Sequence, residues 1–429
     1  SLQDVKWMEY KLKQGVTIYI EPSDKYKTVL IQYKFRTIFS GKTATERSLV
    51  KNMLETNSKQ YPSQNEMDLK MASLYGATLH TQSQRFGKQH VVTMSLSVVN
   101  DKFIGGDDTL LEDAFAFLEE IIYGPNAKDG KFHEKTFLRE KENLNNYFES
   151  LIEDKSAYAR MRLNQELFAG TDQAYQGIGD ASFLEDITAA SLFECYEEMI
   201  GSNQLDILVS GDVAPERVLN ILAGQNFSDR KEIEKEVFCF REKNTEPVIS
   251  SEAQDINQGK LFFGFSSPVY YMNDHYFAGL VFDGLFGGFP HSKLFQNVRE
   301  KESLAYSASS GLDFLRGIMT VGTGIEFDKR EQVEEIVLAQ LKDMQAGDFS
   351  DALIAQTKSM LINHYKQNDD YQGRSLAKQY QDILIIENPL SQEQWIAGLN
   401  AVTKEQIVAV ADKMTLQAIF FLKGEAENE

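Results

Sequence analysis

A chain of 429 residues with 42% hydrophobic side chains can hold at least two domains that each bury a core, which excludes a disordered segment or a small stapled scaffold. Its 64 acidic against 44 basic residues give a net charge of -20 that repels a phosphate backbone and argues against nucleic acid or anionic lipid as the main partner; a solvated acidic surface is the simpler reading, an acidic cavity for basic peptides the other. Cys195 and Cys239 are too few for a disulfide framework or a four-cysteine zinc site, no stretch reaches the roughly 18 apolar residues of a spanning helix, and Ser1-Leu2-Gln3-Asp4 lacks signal-peptide order, so a cytoplasmic protein is expected.

Residues 12–20 and 28–38 are rich in β-branched and aromatic side chains and read as paired strands, separated by the polar segment 22–27. Helical spacing follows over 45–57 and 63–74, the second opened by Ser63 and Glu66 in the form of a capping box. Over 77–99 the period switches to two, with Val92, Met94, Leu96 and Val98 on one face, which predicts a hairpin. Helices are expected over 108–123, 134–169 and 189–200, then a strand over 205–209.

The second half repeats this order: a strand at 260–265, helices near 273–286 and 291–302, a hairpin through Tyr306 and 318–325, helices at 328–346, 350–368 and 373–385, and a strand at 416–422. Asp186-Ile187-Thr188 before a helix and Gly211 after a strand recur as Ala401-Val402-Thr403 and Gly424 at nearly the same spacing. The pattern predicts a duplicated α+β unit: 1–215 as the first half, 216–258 as a polar linker and lead-in, and 259–429 as the second half.

Specific segments carry a resemblance. Ser48-Leu49-Val50-Lys51-Asn52 through Tyr61-Pro62-Ser63, Ala72-Ser73-Leu74-Tyr75-Gly76-Ala77, the opening Leu12-Lys13-Gln14-Gly15-Val16 and the run Tyr175-Gln176-Gly177-Ile178-Gly179 resemble blocks of the pitrilysin/insulinase family of zinc metallopeptidases. That resemblance implies two homologous halves, each a mixed, mostly antiparallel sheet covered by helices, as in one half of a pitrilysin/insulinase clamshell. Active members hold zinc with H-x-x-E-H on the first helix: two histidines four residues apart bind the metal and the Glu takes a proton from its water. Counting back from Tyr61-Pro62, those positions fall on Ser48, Lys51 and Asn52. Serine and asparagine are poor zinc ligands, and an ammonium repels a dication where a base is required.

The family's third ligand is a Glu on the long helix downstream, and aligning on Arg139-Glu140-Lys141-Glu142 puts Asn146 or Tyr147 near that place, with Glu142 and Glu149 nearby. His80, His90, His133, His275, His291 and His364 include no pair at ligand spacing, so no metal is expected in this chain.

The run Gly287-Gly288-Phe289-Pro290 through Arg299 and Tyr306 is similar to the family's Gly-rich turn, helix and Arg/Tyr element. The resemblance implies that Arg299 and Tyr306 bind a scissile carbonyl, with Gly287 and Gly288 facing substrate; read alone, Arg299 is a helix-end cation, Tyr306 a strand aromatic and the glycines a helix stop. It further implies a heterodimer in which a zinc-bearing sister chain supplies the metal and this subunit the carbonyl-binding pair, the two together cleaving peptides. A different account makes the chain a non-enzymatic peptide-binding or scaffold protein of the same fold. No G-x-S-x-G elbow is present to support a serine mechanism.

Overall fold

The computed structural model describes residues 7–105 and 109–425. In chain order the first part runs β1 (Met8–Lys13), β2 (Val16–Pro22), β3 (Thr28–Ile38), α1 (Gly41–Thr56), α2 (Gln64–Ser73), β4 (Thr78–Phe86), β5 (Gln89–Val99), α3 (Leu110–Tyr123), a short hairpin β6 (Ala127–Lys128) and β7 (Lys131–Phe132), α4 (Glu134–Glu153), α5 (Lys155–Leu167), α6 (Ala189–Ser202), β8 (Gln204–Gly211) and α7 (Pro215–Ala223). The rest runs β9 (Val248–Gln254), β10 (Gly259–Ser266), α8 (Tyr276–Asp283), β11 (Ala305–Asp313), β12 (Ile318–Ile325), α9 (Arg330–Gln345), α10 (Asp351–Asn368), α11 (Gln372–Ile385), α12 (Gln392–Asn400), α13 (Lys404–Asp412) and β13 (Thr415–Gly424). Between α8 and β11 lie two π-helical turns, Gly284–Gly288 and Phe295–Lys301.

The two main sheets share a five-strand order, to which the first adds β1 at one edge. The first is ordered β1-β2-β8-β3-β5-β4 and the second β9-β13-β10-β12-β11. Each has a single parallel pair, β2 with β8 and β13 with β9, and is otherwise antiparallel. The α+β fold expected from the repeat is the fold observed.

The strands at 12–20 and 28–38 are not partners, however. β2 pairs with β1 through a turn at Gly15, whose φ of 75° suits glycine, and β8 lies between β2 and β3. The helical period over 134–169 is also two helices: Asp154 caps α5 by accepting from the amides of Ser156 and Ala157, both at 3.1 Å.

Two compact units result. The first comprises Ser1–Glu149, Tyr175–Glu236 and Gln372–Tyr380; the second comprises Ser150–Ala174, Val237–Tyr371 and Gln381–Glu429. In the first, Ile31, Tyr33 and Phe35 of β3 turn one face into a core with α1, α3 and α6. Lys34 and Arg36 occupy the other face and are nonetheless buried. Arg36 pairs with Asp206 at 3.3 Å, Tyr380 donates to Asp206 at 2.7 Å, and the Lys34 ammonium lies 4.8 Å from the Tyr380 ring centre.

In the second unit, Leu261, Phe263 and Phe265 of β10 face α8, α9 and α13. Phe262, Phe420 and Leu422 pack on Ala159, Leu163, Leu167 and Phe168, the apolar stripe of α5 and its end. Among the described residues no helix is long and apolar enough to cross a membrane.

Candidate functional site

Ser48, Lys51 and Asn52 are carried by α1, whose start is fixed by Ser40 accepting from the Thr43 amide at 3.1 Å. The loop Tyr175–Gly179 lies against this helix. Gly179, at φ 104°, would place a Cβ 2.6 Å from the Thr45 backbone, and a Cβ on Gly41 would meet the Tyr175 ring at 2.3 Å.

A buried polar chain runs through this packing. Arg47 Nε donates to His90 Nδ1 at 2.9 Å, which leaves Nε2 protonated to donate to the Gly177 carbonyl at 2.9 Å, with Ser83 Oγ at 3.0 Å. Ser48 Oγ donates to the Ile178 carbonyl at 2.8 Å and so accepts from Ser83 at 2.7 Å. Burial and the Arg47 charge hold His90 well below its usual pKa, in the neutral form this pattern needs. Ser48 is therefore consumed by structural hydrogen bonds.

One turn further on, Lys51 Nζ donates to Asn52 Oδ1 at 2.7 Å and to Thr81 Oγ1 of β4 at 3.2 Å, and lies 3.9 Å from Glu55 Oε1. Thr81 donates to Glu55 in turn. Burial pulls the Lys51 pKa down, opposed by the negative charges of Glu55 and Glu140.

The carboxylate on α4 that acts on Lys51 is thus Glu140. Asn146 and Tyr147 are exposed, as are Glu142 and Glu149. With a bonded hydroxyl, an ammonium and an amide at the three motif positions, the donor set does not fit zinc. Among the described residues no three His, Cys, Asp or Glu side chains are grouped to hold a metal ion.

The second unit carries the other candidate residues. Phe295–Lys301 presents Arg299, and β11 begins one short turn later with an irregular register between Ala305 and Ser307, so Tyr306 sits on a bulge. Arg299 Nε donates to the Tyr306 carbonyl at 3.0 Å, its guanidinium lies 4.6 Å from the Phe295 ring centre and 3.4 Å from Glu300 Oε1. Tyr306 Oη donates to Glu326 Oε1 at 2.9 Å, and this bond raises the phenol's pKa.

The fold therefore brings Arg299 and Tyr306 together on an exposed edge, Tyr306 being 55% exposed. Gly287 is buried, its Cβ position 2.5 Å from Ser310 Oγ; Gly288 is exposed, with Asp283 Oδ2 2.9 Å from its Cβ position. Both glycines are thus fitted to close packing in a π-helical turn. Phe295 and Glu326, which hold Arg299 and Tyr306, carried no sequence signal; Glu326 is 20 residues from the tyrosine it engages.

Residues 186–361 match a family model described as the peptidase M16 inactive domain. A Bacillus subtilis protein named as a probable inactive metalloprotease, YmfF, is 32% identical over 97% of this chain and 98% of its own length. The crystal structure of a conserved protein from Enterococcus faecalis superposes with a TM-score of 0.96 at 40% identity, covering 99% of this chain and all of that one. A peptidase M16 inactive domain from Pseudomonas fluorescens superposes with a TM-score of 0.80 at 15% identity, covering 99% of this chain and 100% of that one, which speaks for the fold alone.

Proposed function

The chain belongs to the peptidase M16 family, as one of its members without the zinc motif, and from that premise we propose that it is the metal-free subunit of a two-chain peptidase. A zinc-bearing sister chain supplies the metal and its activated water; this chain supplies Arg299 and Tyr306. The observation that supports the reading is the hydrogen bond from Arg299 Nε to the Tyr306 main-chain oxygen at 3.0 Å, which joins the two residues on one exposed edge. A cation and an O–H aimed at one oxygen stabilise the charge that develops when water adds to a peptide carbonyl, and one such donor is worth about 3 kcal/mol.

In the structure Tyr306 donates to Glu326, so a substrate carbonyl has to replace that carboxylate as acceptor. The test is peptide cleavage by this chain combined with a family member that carries H-x-x-E-H from the same cells. Arg299→Ala and Tyr306→Phe should each slow cleavage by roughly ten-fold or more, with folding unchanged. An unchanged rate in the double variant would remove the proposal.

The second reading, a peptide-binding or scaffold protein, draws on the same geometry. The Tyr306 hydroxyl and the Arg299 guanidinium each have an acidic partner within their own unit, Glu326 and Glu300. Under it the pair only stiffens the edge of the sheet, and no combination with a zinc-bearing relative yields cleavage that depends on Arg299.

A further inference from the structure

We infer that β9 is a self-association edge: two copies of this chain pair their β9 strands antiparallel about a twofold axis at Ser251, joining their five-stranded sheets. The repeat shows what this edge lacks. In sheet order β9 corresponds to β2, whose outer side is paired antiparallel with β1 and whose Val16, Ile18 and Ile20 are fully buried. No described strand pairs with the outer side of β9, and Val248 and Ile249 are 38% and 57% exposed. β9 lies at the opposite edge of its sheet from β11, which carries Tyr306.

The other sheet edges are guarded against pairing. β1 carries Glu9, Lys11 and Lys13, β4 carries Arg85, and the β11 ladder is interrupted at Tyr306. β9 pairs evenly with β13, and its only charge is Glu252, with no Lys, Arg or Pro in the strand.

The backbone sets the pairing. The Gln254 carbonyl accepts from the Glu425 amide at 2.9 Å, so Gln254 bonds toward β13. With a period of two, Ser250 and Glu252 do the same, while Ile249, Ser251 and Ala253 direct N–H and C=O outward. An axis at Ser251 sets Ser251 against its own copy and Ile249 against Ala253, so outward groups meet outward groups along the whole strand. It also sets Ser250 against Glu252 of the second copy, at the positions where opposed side chains approach most closely. Ser250 Oγ is buried with no hydrogen-bond partner among the described residues, and that carboxylate supplies an acceptor. An axis at Glu252 would instead oppose two carboxylates. The strand complements itself, so a second copy fits this edge better than an unrelated strand.

The experiment is sedimentation of the full chain over about 1–200 µM, a range suited to a small interface, in about 0.15 M salt, which screens the net charge of -20. Wild type should pass from monomer to dimer. Ile249→Lys, at an exposed side chain, and Ser251→Pro, which removes an outward N–H and none bonded to β13, should each weaken the dimer by about ten-fold or more with the circular dichroism unchanged. Should Ser251→Pro fail to fold, cross-linking decides. Under mild oxidant Ser251→Cys should give a covalent dimer above the wild-type background, and Ala253→Cys, whose copies lie about 13 Å apart in this register, should not. A chain monomeric throughout, a dimer indifferent to Ile249→Lys, or equal cross-linking by the two cysteine variants would each overturn the inference, as would an Ile249→Lys variant that loses a different protein and no dimer.

Discussion

A carboxyl group that folding takes out of water resists ionisation, and Asp283 is such a group. Burial pushes its pKa from 3.8 up to about 7, opposed by the hydrogen bond it accepts from Ser310 at 2.7 Å. The unfolded chain releases this proton near 3.8, whereas the folded chain keeps it to about 7. Between those values the folded state binds more protons, so this group makes stability fall as pH rises, with no further loss above about 7. Asp283→Asn retains an acceptor for Ser310 and cannot ionise. Its urea midpoint should exceed that of wild type at pH 8, by a margin that shrinks or reverses at pH 4; the same margin at both pH values would show that Asp283 ionises normally. His90 contributes the opposite slope below its ordinary 6.5, since the unfolded chain then takes up a proton that the folded one refuses, and comparing variant with wild type at each pH cancels it.

Elements in this protein are positioned by a few close approaches, and the loop against α1 makes one of them. Gly179 combines a φ of 104° with a Cβ position 2.1 Å from Thr45 Oγ1 and 2.6 Å from the Thr45 backbone, while the Asp180 amide donates to Thr45 Oγ1 at 2.9 Å. Gly179→Ala must strain the backbone and push the loop off the helix, for an expected loss of about 2–4 kcal/mol in urea unfolding; a change below about 0.5 kcal/mol would mean the loop is free to move. This loop is recognisable in the sequence as a block, yet only the fold shows what it touches. The same division runs through the fold. β-Branched and aromatic richness marks β2 and β3, and alternation marks β5, but neither signal names partners, and β8, which separates β2 from β3, lies more than 160 residues further along. α12 opens on a capping box of Ser391 and Gln394, a local helix signal that the sequence carries outside the longer periodic runs. Ser48, Lys51 and Asn52 were legible as non-ligands from residue type alone. Glu140, Thr81 and Glu55 were not legible as the setting of Lys51, because three elements converge there and helix spacing describes only one of them.

At the scale of the molecule, each compact unit is completed by chain from the other half of the sequence. Residues 372–380 belong to the unit built on the first sheet, where Tyr380 donates to Asp206; residues 150–174 belong to the unit built on the second, where α5 covers Phe262 and Phe420. A fragment ending at residue 236 would keep α5 without the apolar faces of β10 and β13 that it covers, and would leave Asp206, Lys34 and Arg36 without the segment that carries Tyr380. A fragment starting at 237 would open the apolar face holding Phe262, Ala418, Phe420 and Leu422 to water. Each such large side chain is worth about 1.5–3 kcal/mol when buried, so several together approach the whole stability of an ordinary domain, about 5–15 kcal/mol. Residues 1–236 and 237–429 made separately should therefore aggregate or bind a hydrophobic dye, and made together in one cell should copurify through a tag on either one. Two fragments that are each monomeric, with cooperative unfolding and native circular dichroism, would contradict the exchange. The expected copurification would show that the duplicated halves are interlocked, so that a cut in the polar stretch after α7 separates sequence repeats without separating folding units.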